Sequence, residues 1–378
     1  MSIDRLGHDS TLSVTLPYGV VTAWEAVRIT RGVEHMPGDF DVTFAARSPG
    51  GAPVVANPGD ACTIAIAGQI VLTGYVDRVA IALADGQDVL RLQGRSKCCD
   101  LVDCSITAQD VPNLQISGGT LLQMAQQMGK PYGVTARQLG GDSRTLPQLN
   151  VNLGETPFDV IERVARWMGL LVYDDEAGNL VLSVVGTQLH ASGFREGNNV
   201  QAASAVFAMD ERFSRYIPAL MSVDKFADIP GGDGGDFFPA VEDPTVRRYR
   251  PRVIISEQYD SDQSLAVLRA QWEKARRYGR SQVLRVVCDS WTDAAGTPWT
   301  PNRLATVDVP TCAIRNRRWI IGEVTWMRDE QNGTTAQLLL MPPDAYRPEP
   351  TVLQPFDVQL QRDLQKPPPS GGFQPGGA

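Results

Sequence analysis

The chain has 378 residues, 43% of them hydrophobic and 21% charged, and a formal net charge of -8. That length predicts two to four domains with real cores. The acidic balance, without a clustered basic face, argues against a nucleic-acid binder, although 246-VRRYRPR-252 and 276-RRYGR-280 leave room for a local basic patch. The opening residues lack a basic-then-apolar leader, and no run of eighteen apolar residues occurs, so the expectation is a protein that folds in a cytoplasm without stable membrane insertion.

The first hundred residues read almost wholly as strand. In 21-VTAWEAVRITRGVEHMPGDFDVTF-44, Trp24, Ala26, Arg28 and Thr30 share one face and Val27 and Ile29 the other, with a turn at Pro37-Gly38. Further strands come in 58-PGDACTIAIAGQIVLTGYVDRVAIALADGQDVLRLQGRS-96, where Asp85-Gly86 is the strongest two-residue hairpin signal. Short antiparallel strands at this spacing predict a small barrel.

The period then changes. Leu121, Met124, Ala125 and Met128 fall at helical spacing in 119-GTLLQMAQQMG-129. In 155-ETPFDVIERVARWMG-169, Thr156 is placed to cap, Pro157 suits the first turn, Asp159 stands three after the cap, and Gly169 stops the helix. Strands Leu170 to Tyr173 and 180-LVLSVV-185 complete an α+β module over about 98–188.

From about Gly193 the chain is extended again, and 203-ASAVFAMDERFSRYIPALMSVD-224 reads as one long strand pair. The stretch 226-FADIPGGDGGDFFPAVEDP-244 is a loop signal. Its single G-G-x-G-x-D is an ordinary loop rather than a calcium repeat, which works only in stacked copies. A third helix is predicted over 262-DQSLAVLRAQWEKARRYG-279, then strands 281-SQVLRVVCDSW-291, 318-RWIIGEVTWMRD-329 and 334-TTAQLLLM-341, the last two joined by Asn332-Gly333. The two strand regions share a pattern. Gly74-Tyr75-Val76 opens a strand, a glycine turn and a second strand, and Gly322-Glu323-Val324 opens the same series. From Pro342 on, Pro- and Gly-rich composition predicts a tail that builds no core.

Catalytic constellations are not found. His8, His35 and His190 lie in no ligand or triad spacing, and neither a G-x-S-x-G elbow nor a phosphate loop is present. Asp159 with Glu162 reads as a cap plus a solvated face, and Asp174, Asp175 and Glu176 as a turn. Cys62, Cys288 and Cys312 read as small buried residues, while Cys98, Cys99 and Cys104 lack the fourth ligand and C-x-x-C step of a zinc site. The expectation is therefore no enzyme, no metal and no cofactor. Trp24, Tyr75, Trp291, Trp299 and Trp326 read as strand core, with a sharper reading for Trp291 and Trp299 as interface anchors beside a loop. Trp291, Trp299, Arg277 and Tyr278 are the candidate interface residues.

The blocks 58-PGDACTIAIAGQIVLTGYVDRV-79, 94-GRSKCCDLVDCS-105, 154-GETPFDVIERVARWMGLLVYDDEAGNLVLS-183, 247-RRYRPRVIISEQ-258, 269-RAQWEKARRYGRS-281, 299-WTPNRLATVDVP-310 and 338-LLLMPPDAY-346 are collinear over nearly the whole chain. Together they resemble the baseplate hub family of Mu-like contractile phages. The resemblance implies a mainly β chain with α+β modules, in which two related small β-barrel, tube-type domains are joined by helix-containing domains. The expected division is a first barrel at 1–97, the α+β module at 98–188, a discontinuous second barrel at 189–225 and 284–343, an inserted loop and helix at 226–283, and the tail at 344–378. It further implies a virion protein of the tail baseplate, a homotrimer forming a pseudo-sixfold ring. Its partners would be the tail spike, the tail tube or its initiator and the baseplate wedge, with DNA passing a neutral to acidic lumen without specific binding. The competing reading is a receptor- or carbohydrate-binding tail module, since aromatic-bearing strands also bind sugars.

Overall fold

The computed structural model describes residues 11–22, 24–45, 55–84, 87–146, 148–221, 236–237, 239–257, 263–330 and 333–348. The turns at Asp85-Gly86 and Asn332, most of the glycine-rich loop, the tail from 349 and His8 lie outside them.

Seven strands come first: β1 (Leu12–Leu16), β2 (Gly19–Val21), β3 (Trp24–Gly32), β4 (Asp39–Ala45), β5 (Ala61–Ile66), β6 (Gln69–Ala84) and β7 (Gln87–Ser96). They alternate as half-buried strands should: Cys62, Ile64 and Ile66 of β5 point inward, and their neighbours do not. The module comes next as α1 (Cys99–Asp103), β8 (Gln115–Ile116), α2 (Leu121–Gly129), β9 (Ala136–Leu139), β10 (Leu149–Asn150), α3 (Pro157–Trp167), β11 (Leu171–Asp174) and β12 (Leu180–Ser183). Both longer helices start in capping boxes: Thr120 with Gln123, and Thr156 with Asp159. Each box satisfies two backbone donors that a helix start leaves open. The module has its own core, in which Leu121, Met124 and Met128 meet Val160, Ile161 and Val164.

The rest of the chain forms β13 (Phe194–Arg195), β14 (Val200–Phe207), β15 (Arg215–Met221), β16 (Asp236–Phe237), β17 (Val241–Glu242), β18 (Pro251–Glu257), α4 (Gln263–Arg280), β19 (Gln282–Cys288), β20 (Leu304–Val309), β21 (Ile314–Asp329) and β22 (Gly333–Met341). The stretch 203–224 is not one strand pair. β14 pairs with β19, whereas β15 pairs in parallel with β18 in a separate small sheet. That sheet packs Tyr216 and Ile254 against Ala270 of α4 in a core of its own.

The fold is mainly β, but the two strand regions are not two closed barrels. Among the described residues they form a single 13-stranded sheet, ordered β14-β19-β22-β21-β3-β4-β7-β6-β5-β1-β2, with β20 and β13 branching from β21. The edge that closure of the first region would require, β3, is instead paired with β21 of the second, from Glu323↔Gly32 to Arg328↔Val27. One apolar core accordingly runs through both regions, from Leu12 to Leu340.

Within this sheet lies a repeat. The order β3-β4-β7-β6-β5 recurs as β14-β19-β22-β21-β20, with every pairing antiparallel. The β-bulges coincide as well. β3 slips between Trp24 and Ala26, and β14 between Val200 and Ala202. β6 and β21, both 16 residues long, slip between Val76 and Arg78 and between Ile321 and Glu323. Bulges bend a strand at a fixed place and so mark register. They align Asp77 with Gly322, three residues away from the Gly74–Gly322 match that the sequence pattern suggests.

Candidate assembly interface

Trp291 and Trp299 do not anchor a surface. Both are 0% exposed, as is Trp326, and the three form the centre of the second strand unit. Trp291 Nε1 donates to the carbonyls of Thr335 (2.8 Å) and Met327 (3.2 Å), Trp326 Nε1 to the Trp291 carbonyl (3.1 Å), and Trp299 Nε1 to the Ser290 carbonyl (3.0 Å). Strand alternation and a nearby loop look alike in sequence whether an indole faces core or partner. The satisfied N–H groups and full burial place these in the core.

Beside them, His190 is buried. The Thr300 amide donates to its Nε2 (3.2 Å), so Nδ1 carries the proton and donates to Asp293 (2.9 Å). Burial pushes the imidazole pKa down, more than Asp293 pushes it up, so the ring is neutral at pH 7. Burial also pushes the Asp293 carboxyl up, but bonds accepted from His190 and from the amides of Thr297, Ala191 and Ala295 outweigh it and hold the pKa low. The pair ties the segment before β13 to the loop after β19. Its atoms are enclosed, so it is a brace, not a reactive centre.

Arg277 and Tyr278 end α4 at the surface, and there the structure gathers the arginines that sequence left scattered. The guanidiniums of Arg250, Arg252 and Arg277 lie 5.3, 5.0 and 5.3 Å from the Phe213 ring centre, and Arg212 lies 5.0 Å from that of Tyr278. Arg277 is also held by Glu273 and Glu211 (2.6 Å each), and Arg212 by Asp243 (2.8 Å). Exposed Arg247, Arg248 and Tyr249 extend the patch. A stacked guanidinium contributes about 0.5–1 kcal/mol where it is exposed, as Arg252 is. Phe213 had no signal of its own in the sequence. Its role as organiser depends on the parallel pairing of β15 with β18.

A cleft of about 420 Å³ lies between α3 and α4, lined by Glu34, Glu162, Arg166, Trp272 and Arg276. Both carboxylates are committed to ion pairs, Glu162 with Arg166 and Glu34 with Arg276 and Arg280. Burial pushes the thiols of Cys62 and Cys288 up to about 12. All six cysteines are free, and Cys312, expected to be buried, is half-exposed with Cys104. No cluster of three metal-ligating side chains occurs among the described residues. Among them no helix is long and apolar enough to cross a membrane.

Three family descriptions match successive parts of the chain: the N-terminal domain of Mu phage baseplate assembly protein GpP-like proteins at residues 19–96, the second domain of gp44-like baseplate hub proteins at 98–184, and the fourth domain of Mu baseplate assembly protein GpP at 263–349. The chain resembles the Mu-like baseplate hub family in successive domains. The baseplate hub protein gp44 of Escherichia phage Mu is 29% identical over 353 residues, 89% of each chain. A 43 kDa tail protein of prophage MuSo2 from Shewanella oneidensis matches with a TM-score of 0.76 and 26% identity, over 91% of this chain and 100% of that one. A tail protein from Neisseria meningitidis (TM-score 0.70, 21% identity, 90% and 99% covered) shares the fold. So does an Escherichia coli component of the type VI secretion system (0.56, 9%, 89% and 79%). These likenesses support a structural role in a phage baseplate.

Proposed function

We propose that this chain is the non-catalytic hub of a contractile-tail baseplate. In this reading it is a homotrimer whose pseudo-sixfold ring joins the sixfold tail tube to a threefold spike and lets DNA pass. The observation that carries the ring is the repeat: two strand units with the same order and the same bulges stand side by side in one chain. Three chains then present six near-equivalent units to a sixfold tube while keeping a threefold face for the spike. The role asks for rigidity and contact area. The common core of both units and the arginine-bound α4 supply the first. A net charge of -8 suits a lumen that must not retain a phosphate backbone.

The test is solution mass by light scattering at micromolar concentration, with two-dimensional averages by electron microscopy. A mass of three times 41.1 kDa and threefold particles with a central channel are expected. A monomer that stays monomeric when mixed with the spike protein of the same phage overturns the reading.

A further inference from the structure

Over the five strands of each repeat and the junction at β3, the pairings match in all but one place. In the second unit, β21 carries β22 along one side. Along the other it carries β20 up to Ile320 and then β3 from Glu323 to Arg328. In the first unit, β6 carries β7 along one side and β5 on the other as far as Tyr75. Beyond the bulge at Asp77, nothing among the described residues pairs with that second side of β6. The counterpart of β3 is β14, whose own second side is likewise unpaired among the described residues along Ala203 to Phe207.

We infer that β14 of one subunit adds to the free side of β6 of the next, repeating between chains the β3–β21 junction that exists within each. This deepens the ring reading and rests on it. The bulges fix the register. They place Arg78 to Leu83 where Glu323 to Arg328 stand, and Ala203 to Ala208 where Val27 to Gly32 stand. Carrying over the observed Val324↔Arg31 and Trp326↔Ile29 pairs gives Val79↔Phe207 and Ile81↔Ala205, with Ala82↔Ser204 beside them.

Three further observations agree. Ile81 is 76% exposed, whereas its counterpart Trp326 is 0% exposed beneath the β3 junction. Val206 and Phe207 are 55% and 53% exposed, whereas their counterparts Thr30 and Arg31 are 5% exposed each. Both edges, 79-VAIALA-84 and 202-AASAVFA-208, lack any charge or proline. An exposed apolar edge with no such protection is an aggregation hazard unless a partner strand covers it. The two edges differ from each other, so the contact is head-to-tail, the geometry that generates rings.

The test is cysteine cross-linking in the full-length chain. Ala82→Cys with Ser204→Cys, and separately Ile81→Cys with Ala205→Cys, are oxidised with diamide and run on non-reducing gels. Adjacent pairs are used because only the non-hydrogen-bonded one of two brings its side chains to bonding distance. At least one double variant should give a ladder ending at a covalent trimer. Its two single variants, separately, should stay at the wild-type background set by Cys104 and Cys312; mixed, they should give dimer only. As a second measure, Ile81→Lys should lower association at least tenfold with its far-UV circular dichroism unchanged, so that the loss is of contact and not of fold. If neither pair cross-links while the wild-type mass remains trimeric, the strand assignment falls and the ring stands. If neither cross-links and the mass stays monomeric with the spike protein of the same phage added, both fall.

Discussion

The hydroxyl of Tyr346 occupies the place where a side chain on Gly322 would begin: a Cβ there would lie 1.7 Å from the oxygen and 2.5 Å from the ring carbon that bears it. Gly322 is the bulged residue of β21, and its carbonyl accepts a bond from the Val33 amide (2.8 Å). The close approach thus pins the end of the described chain onto the bend where the two strand units join. Gly322→Ala should lower stability by at least about 2 kcal/mol, the scale of overpacking. The Tyr346 hydroxyl is buried without a hydrogen-bond partner among the described residues. Tyr346→Phe should therefore raise stability by about 1 kcal/mol, since it removes a desolvated group that gains nothing. It should not rescue Gly322→Ala, because the ring carbon remains in place. Urea midpoints of the three variants decide this.

The tryptophans give a second contrast. Trp291→Phe removes a fully buried indole and leaves the Thr335 and Met327 carbonyls without their donor. A loss of about 2–4 kcal/mol is expected from lost volume and unpaired acceptors. Tyr278→Ala, at a site 40% exposed, should cost less than about 1 kcal/mol, the value of its stacking with Arg212. Should Tyr278→Ala prove the more destabilising in urea, the assignment of core and surface would be reversed.

These residues mark the reach and the limit of sequence. Helices α2, α3 and α4 were legible to within a residue or two because their signals are local: spacing of three and four, a cap, a glycine stop. The capping box of Thr156 with Asp159 was read directly. Long-range pairing was not legible. The sequence pairs β15 with its neighbour β14, because nothing in Ile217 or Ala219 announces that β18 lies alongside in parallel. The repeat shows as a pattern, but matching its glycines shifts the register by three, because the bulges are the true landmarks. Burial of Trp291 and Trp299 was undecidable from alternation alone.

Helix α2 and helix α3 permit a clean test of their starts. The Thr120 hydroxyl accepts from the Gln123 amide (3.3 Å), and that of Thr156 from the Asp159 amide (3.1 Å). Thr120→Ala and Thr156→Ala should each cost about 1 kcal/mol. Serine at either position should restore most of it, which a loss of packing alone would not allow.

His35 and His190 act on stability with opposite signs. His35 is raised above its usual 6.5, first by its hydrogen bond to Asp39 (2.8 Å). Its contribution is fully present below pH 6.5 and is lost as pH rises through the folded value. His190 is lowered, first by burial. Below pH 6.5 the unfolded chain binds a proton that the folded chain refuses, so its contribution is present above 6.5 and is lost on acidification. Asp39 and Asp293, both lowered, lose their contributions only below about pH 3.8, outside this window. The two terms act in adjoining windows, that of His190 below pH 6.5 and that of His35 above it. His35→Gln should leave the His190 rise below pH 6.5 as in the parent and abolish the fall above it. His190→Gln should be less stable overall, with its remaining dependence falling as pH rises. Urea unfolding at pH 5, 6, 7 and 8 separates the two; a His35→Gln profile parallel to that of the parent would remove His35 from the account.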